Sequence, residues 1–394
     1  HLAAGDVRLT MGGEPTFVAL DDAAAPEWNI AALGPTKRDF ADRLARGLCE
    51  RFATGALLHY GQGKWYPGEQ AARWAFGIHW RSDGQPLWRD ASLIAKEQPD
   101  TPATVTDAEK FTGALCHTLG LRGDSAIPAY EDAAHFALVE QKLPLGVAPQ
   151  DNKLAEPAER ERLVRVFDQG LHKPVGYVLP LLATHGLKGK RRFITERWTF
   201  KRERLFLVPG DSPLGLRLPL AGLPEISFED YPHVLPADPF AAPKDMPDAA
   251  GLVDGDAVSQ TPAEKPELVR TALAVEARNG HVCVFLPPLS DGEDYAALIA
   301  AIEAAAAKTK QAIRLEGYAP PFDPRINVIK VTPDPGVIEV NVHPALSWDH
   351  AVDITTAVYE EASKVGLGAE KFRLDGRHVG TGGGNHIVLG GVTP

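Results

Sequence analysis

Cysteine is scarce in this chain of 394 residues. Cys49, Cys116 and Cys283 are odd in number and far apart, which argues against a disulfide framework and against a Cys-x-x-Cys metal site. A reducing compartment is the expectation. No apolar run approaches the ~18 residues of a membrane span, and the first residues lack the charged, apolar and cleavage regions of a signal peptide. The expected location is therefore cytoplasmic, with no membrane partner. Positive charge is also in deficit: 41 Lys and Arg stand against 52 Asp and Glu, for a net charge of −11. Generic nucleic-acid binding needs a basic face, so it is not expected. The one basic stretch, "KGKRRFITERWTFKRER" at 188–204, reads as a solvated strand face.

Other signatures are missing from an otherwise suggestive segment, "GTGGGNHIVLGG" at 380–391. A Walker loop needs a lysine after its glycines, and here Asn385 and His386 stand instead. A dinucleotide fingerprint needs a helix to follow, whereas "IVLGG" reads as a strand. Two readings stay open: a glycine-rich turn with an incidental histidine, or backbone room for a phosphate, a metal or another chain. No nucleophile elbow is present, and adjacency of Cys116 and His117 in sequence says nothing about spatial pairing, so a thiol or serine hydrolase is disfavoured. The chain opens with His1 and stops at Pro394, soon after the glycine segment, and is expected to be a piece of something larger.

What is present is ample for folding. With 44% hydrophobic residues the chain can bury a substantial core, in two or three domains. "DVRLTMGGEPTF" reads as a strand with Val7, Leu9 and Met11 on one side, delivering Glu14 beyond a Gly-Gly pair. "GPTKRDFADRLARGLCERF" has the helical period in Phe40, Leu44 and Leu48 after Pro35. "ALLHYGQGKWYPGE" and "WAFGIHWR" read as strands joined by a loop that carries Gln62, Lys64, Trp65 and Glu69. Residues 101–140 read as a helical insertion. Strand-like runs follow at "VGYVLPLL", "FITERWTF", "RLFLVPG" and "LGLRLPL". Residues 235–266, rich in Pro, Ala and Asp, read as a linker or mobile loop. This divides the chain into an N-terminal part, 1–234, and a C-terminal part, 267–394. In the latter, Asn279-Gly280 marks a hairpin, "DYAALIAAIEAAAAKTKQ" a helix, "AIRLEGY" a strand, and "INVIKVTPDPGVIEVNVHPA" a second hairpin. The expected class is α+β with a mainly antiparallel sheet and flanking helices.

Glu14, Glu316 and Glu339 each lie on or beside a predicted strand. Alternation puts Glu339 and Asn341 on one polar face, with His343 following in phase. Strand carboxylates with a histidine suit Mg²⁺ or Mn²⁺, ions that commonly hold nucleotide phosphates.

The blocks "LTMGGEPTFVALDD", "WNIAALGPTKR", "LLHYGQGKWYPGE", "INVIKVTPDPGVIEVNVHPA" and "EKFRLDGRHVGTGGGNH" resemble the amidoligase family whose members commonly follow a transglutaminase-like domain in bacterial proteins. The resemblance spans essentially the whole chain. It implies a sheet like that of glutamine synthetase and glutamate–cysteine ligase, with metal ligands at Glu14, Glu316, Glu339 and His386. It further implies ATP and Mg²⁺ or Mn²⁺ as cofactors, with Gly382, Gly383, Gly384 and Asn385 around the nucleotide. Lys64, Asn341 and Arg377 become candidate catalytic helpers. Glutamine synthetases carry Glu-x-Glu on the early strand, where this chain has Glu14-Pro15-Thr16. The family's domain is expected to continue past Pro394, leaving the sheet incomplete at its C-terminal side. The implied function is an ATP-dependent carboxylate–amine ligase acting through an acyl phosphate on small-molecule or peptide substrates. The alternative is a non-catalytic substrate-binding or scaffolding module beside a transglutaminase-like domain.

Overall fold

A computed structural model describes every residue except 1–2, 12–13, 22–23, 68, 70–71, 100, 143–156, 186–190, 199, 201, 228, 230–244, 249–268, 373–374, 383–386 and 391–394. In chain order its elements begin with β1 (Arg8–Met11), β2 (Thr16–Ala19), α1 (Lys37–Phe52), β3 (Leu57–Gln62), β4 (Trp74–Arg81), α2 (Val105–Thr118), β5 (Ile127–Tyr130), α3 (Ala133–Glu140), α4 (Pro157–Gln169) and β6 (Gly176–Pro180). Then come β7 (Leu182–His185), β8 (Arg191–Ile194), β9 (Leu205–Phe206), β10 (Ala272–Arg278), β11 (His281–Leu286), α5 (Gly292–Thr309), β12 (Ile313–Gly317), β13 (Ile326–Asp334) and β14 (Val337–Asn341). The last are α6 (Trp348–Lys364), β15 (Leu367–Gly368), β16 (Lys371–Phe372), β17 (His378–Val379) and β18 (Ile387–Gly390). The class is mixed α+β, with six α-helices among the described residues.

Twelve strands form one sheet in the order β15, β2, β14, β13, β4, β3, β12, β11, β10, β6, β5, β9. Most neighbours are antiparallel; β3 with β12, β12 with β11, and β5 with β9 are parallel. Both hairpins read from the sequence form. Asn279 and Gly280 take φ of 51° and 78°, the left-handed pair that a two-residue turn between twisted strands requires. In the second, Asp334 pairs with Val337 across Pro335 and Gly336.

Alternation along the strands then decides which face each helix covers. Leu58, Tyr60, Phe76, Ile78, Val331, Ile338 and Phe17 share one face, covered by α1 through Ala41, Leu44 and Leu48 and by α6, whose Tyr359 meets Phe17 edge-on. Each such fully buried side chain is worth about 1.5–3 kcal/mol. On β10 and β11 the residues in the core with α2 and α5 are Leu273, Val275, Val282 and Val284. Their register carries through Ile313 and Leu315 to His59 on β3, the opposite face. The helices thus switch sides across the sheet, and the described helices leave the His59 face of β14, β13 and β4 open where Lys330 is exposed.

Several sequence expectations change. The run at 214–220 is not a strand: Leu214–Leu216 and Leu220–Gly222 are 3-10 turns, each entered from a proline that cannot donate to a ladder. The run starting at Phe193 is a strand only as far as Ile194. The insertion at 101–140 includes β5 as well as α2 and α3. Helix α4 occupies residues to which the sequence reading gave no element. The predicted linker lies mostly outside the described residues; within it, Met246 is buried, and the Met246 and Pro247 carbonyls accept hydrogen bonds from Arg81. The three cysteines are free, and burial raises the Cys116 thiol to about 11, which makes it a poor nucleophile at neutral pH. Among the described residues no helix is long and apolar enough to cross a membrane.

Candidate functional site

The second hairpin builds the site. Its register sets Thr332 opposite Glu339 and Lys330 opposite Asn341, so these four share the open face while Ile338 and Val340 point into the core. On the other side of β14, Thr16 of β2 stands opposite Glu339, and the Val340 N–H donates to the Pro15 carbonyl at 2.9 Å. Thr16, Thr332, Glu339 and Asn341 are therefore brought together on one patch of sheet, and Glu14 stands two residues before the start of β2.

Its charges are arranged in pairs. Lys64, from the loop between β3 and β4, sets its Nζ 3.3 Å from Glu339 Oε2. Thr332 donates to the same oxygen at 3.4 Å, and Asn341 Nδ2 reaches Thr332 Oγ1 at 3.5 Å, both loose contacts. Arg73 Nη1 binds Asp334 Oδ1 at 2.5 Å, and Arg73 Nη2 binds Glu69 Oε1 at 2.7 Å. Burial and then the charge of Asp334 raise the Glu339 carboxyl above the usual range, with Lys64 opposing the shift. A carboxylate in this state gains from any further positive charge. Burial works against the Lys64 ammonium, yet Glu339 holds its pKa above the ordinary value.

The glycine segment enters the same patch at its first residues. Thr16 Oγ1 donates to Thr381 Oγ1 at 2.5 Å. Gly382 takes φ 96°, and a β-carbon there would meet nothing within 4 Å, so this glycine answers a backbone conformation rather than a close approach. Gly383, Gly384, Asn385 and His386 lie outside the described residues. What is described is β18, directly after His386: it pairs antiparallel with β1, Met11 opposite Ile387. The small β1–β18 sheet joins the rest through Leu9, which exchanges hydrogen bonds of 2.9 and 2.7 Å with Ala345. The strands flanking Glu14 and His386 are therefore direct neighbours.

Other candidates stand apart. Glu316 projects from the opposite face of β12, with three strands between it and β14, where it pairs with Arg278 and lines a separate cleft. His343 does not continue the polar face: β14 ends at Asn341, and the ring packs between Trp80, Phe52 and His350. Arg377 is 80% exposed, with Asp375 at 3.6 Å. Sequence reasoning missed Thr16, Arg73, Thr332 and Asp334. A signal existed for Thr332, since a hairpin turning at Pro335-Gly336 dictates its place opposite Glu339.

Glu339 and Asp334 supply oxygen donors of the kind a hard divalent ion takes. Among the described residues no group of three or more His, Cys, Asp or Glu side chains is placed to hold a metal ion.

No curated protein and no solved structure matches the chain. A family model does, over residues 1–394, under the description "Putative amidoligase enzyme (DUF2126)". The chain belongs to that family, whose description names a ligase activity.

Proposed function

We propose that the protein is an ATP-dependent carboxylate–amine ligase and that the Glu339 face receives the magnesium nucleotide. The observation that carries this reading is the patch itself. Carboxylates Glu339 and Asp334, cations Lys64 and Arg73, and hydroxyls Thr16, Thr332 and Thr381 meet where the glycine segment begins. Glu339 and Asp334 would hold a bound Mg²⁺, which would supply positive charge to offset that of the phosphates. Lys64, more than half exposed and tied to Glu339 by one 3.3 Å contact, is free to swing from the carboxylate to a phosphoryl oxygen. Thr16 and Thr381 present hydroxyls to the same space, and Asn341 steadies Thr332.

In this reaction a substrate carboxylate oxygen attacks the γ-phosphorus of ATP and ADP leaves. The amine then attacks the acyl carbon, inorganic phosphate departs, and the amine gives up a proton as the amide forms. The residues of this chain act by position and electrostatics: they bind phosphate, hold its charge and keep the acid in line. Glu14 and His386 are proposed to complete the ion's surroundings, since their flanking strands pair side by side. A glutamine-synthetase-like mode of binding and an adjacent transglutaminase-like domain belong to the same proposal.

The test is calorimetric titration of ATP with MgCl₂ into the wild-type chain and Glu339→Gln. The variant should bind at least about tenfold more weakly, since one charge-assisted contact is worth ~1.5–3 kcal/mol. Its unfolding free energy should stay within about 1 kcal/mol, because glutamine keeps the shape of the side chain and an oxygen that can still accept from Lys64 and Thr332. Equal nucleotide affinity in the two proteins, or none in the wild type, removes this assignment.

A further inference from the structure

The opposite face of the sheet holds a cleft of about 410 Å³. It lies between the cover supplied by α1 and the turn at Pro213, over β3, β12 and β11. Its position follows from the switch of helices: α1 stops short of β12, while α2 and α5 pack on the other side. The volume falls within the range of small-molecule sites.

The lining is cationic. Three arginines, Arg38, Arg278 and Arg314, face it against two glutamates, Glu97 and Glu316, while Arg73 at its rim stays tied to Glu69 and Asp334. Two of the guanidinium groups lie over aromatic rings. Arg314 lies 4.7 Å over Tyr60, and Arg38 lies 5.1 Å over Phe76. The ring faces attract the cations and help to hold them at the cleft. Some of their N–H groups go to one shared carboxylate, with Arg38 Nε at 2.6 Å and Arg314 Nη2 at 2.8 Å from Glu97. The donors exceed the acceptors. Arg314 is 4% exposed, and its Nε has no hydrogen-bond acceptor; Arg278 Nε has none either, although Glu276 stands 3.4 Å away. A buried donor without an acceptor costs free energy, and an oxyanion in the cleft would relieve it.

The cations form two stations. Arg38 and Arg314 meet at Glu97, while Arg278 meets Glu316. Arg314 and Glu316 are two residues apart on β12 and face the same way, so the stations are about 7 Å apart along the strand. A phosphate ion would serve one station and leave most of the cleft empty. We infer that this cleft binds a small organic acid with two carboxylates, one received by Arg38 and Arg314 and the other by Arg278. The inference is independent of nucleotide binding on the Glu339 face.

Calorimetric titration of the whole chain with glutarate, and separately with inorganic phosphate, tests it. Glutarate should bind, and phosphate should bind at least about tenfold more weakly. Arg38→Gln and Arg278→Gln should each weaken glutarate about tenfold. Arg38 is 32% exposed, so Arg38→Gln should keep the wild-type melting transition, whereas Arg278→Gln leaves Glu276 and Glu316 without their cation and should lower it. Glu339→Gln should leave glutarate affinity unchanged, which separates this site from the nucleotide site. Absence of glutarate binding, equal binding of phosphate, or undiminished affinity in either folded variant overturns the inference.

Discussion

Glu27 is 4% exposed and accepts the Lys37 N–H at 2.9 Å, the Thr36 hydroxyl at 2.8 Å and, more weakly, the Thr36 N–H at 3.4 Å. It thereby caps the start of α1, a task that Thr36 does not perform with its own side chain. Lys37 is fully buried, its Nζ bound by the carbonyls of Ala31, Ala32 and Asp334. Burial lowers its pKa to about 8, and the charge of Glu27 opposes that shift. Glu27→Ala should therefore cost about 3 kcal/mol or more in urea unfolding, because it leaves N–H groups and a buried cation uncompensated. Gly34→Ala should act through the same group, since its β-carbon would fall 2.1 Å from Glu27 Oε2. The fixed Lys37 also holds the Asp334 carbonyl, so this residue links the helix start to the hairpin that carries Glu339.

Among the elements, the hairpins were the most legible parts of the chain. A turn with Asn-Gly or Pro-Gly fixes register locally, and alternation then assigns faces on both arms. Gly280→Ala tests the first: with φ at 78° it should cost about 1–2 kcal/mol, read by thermal unfolding, without changing the class of fold. Periodicity likewise located α1, and an alanine-rich run located α5. Face assignment failed where strands are joined by parallel crossovers. Alternation gives the parity of Glu316 within β12, but whether that parity matches Glu339 depends on pairing with β3, over 250 residues away in sequence. The same limit hid Arg73, which meets Asp334 only through tertiary folding. The strand ending at Asn341 displaced His343 because a hydrophobic cluster with Trp80 and Phe52 outweighs continuation of the ladder.

Across the whole molecule, buried neutral histidines set a pH dependence. Burial lowers His59 and His343 from 6.5 to about 4, with His350 adding to the second, and burial takes His79 well below its usual value. The unfolded chain takes up protons near pH 6.5 while the folded chain resists until about 4. Stability is thus fully present above pH 6.5 and falls as the pH drops toward 4. Between pH 7 and pH 5, His59 and His343 should each remove about 2 kcal/mol, measured by urea unfolding. His343→Phe should flatten the slope; an unchanged slope would show that other groups set it.

The β1–β18 ladder joins residues 8–11 to residues 387–390, spanning nearly the whole chain. During synthesis, the partner of β1 leaves the ribosome long after β1 itself, and closing so long a loop is entropically slow. The early strand must wait unpaired while everything between it and β18 folds. A nascent chain truncated in the glycine segment can complete its central hairpins yet never join Thr16 to Thr381. The Thr16–Thr381 contact therefore waits for the segment through β18, and a chain cut before that segment would fold in large part without it.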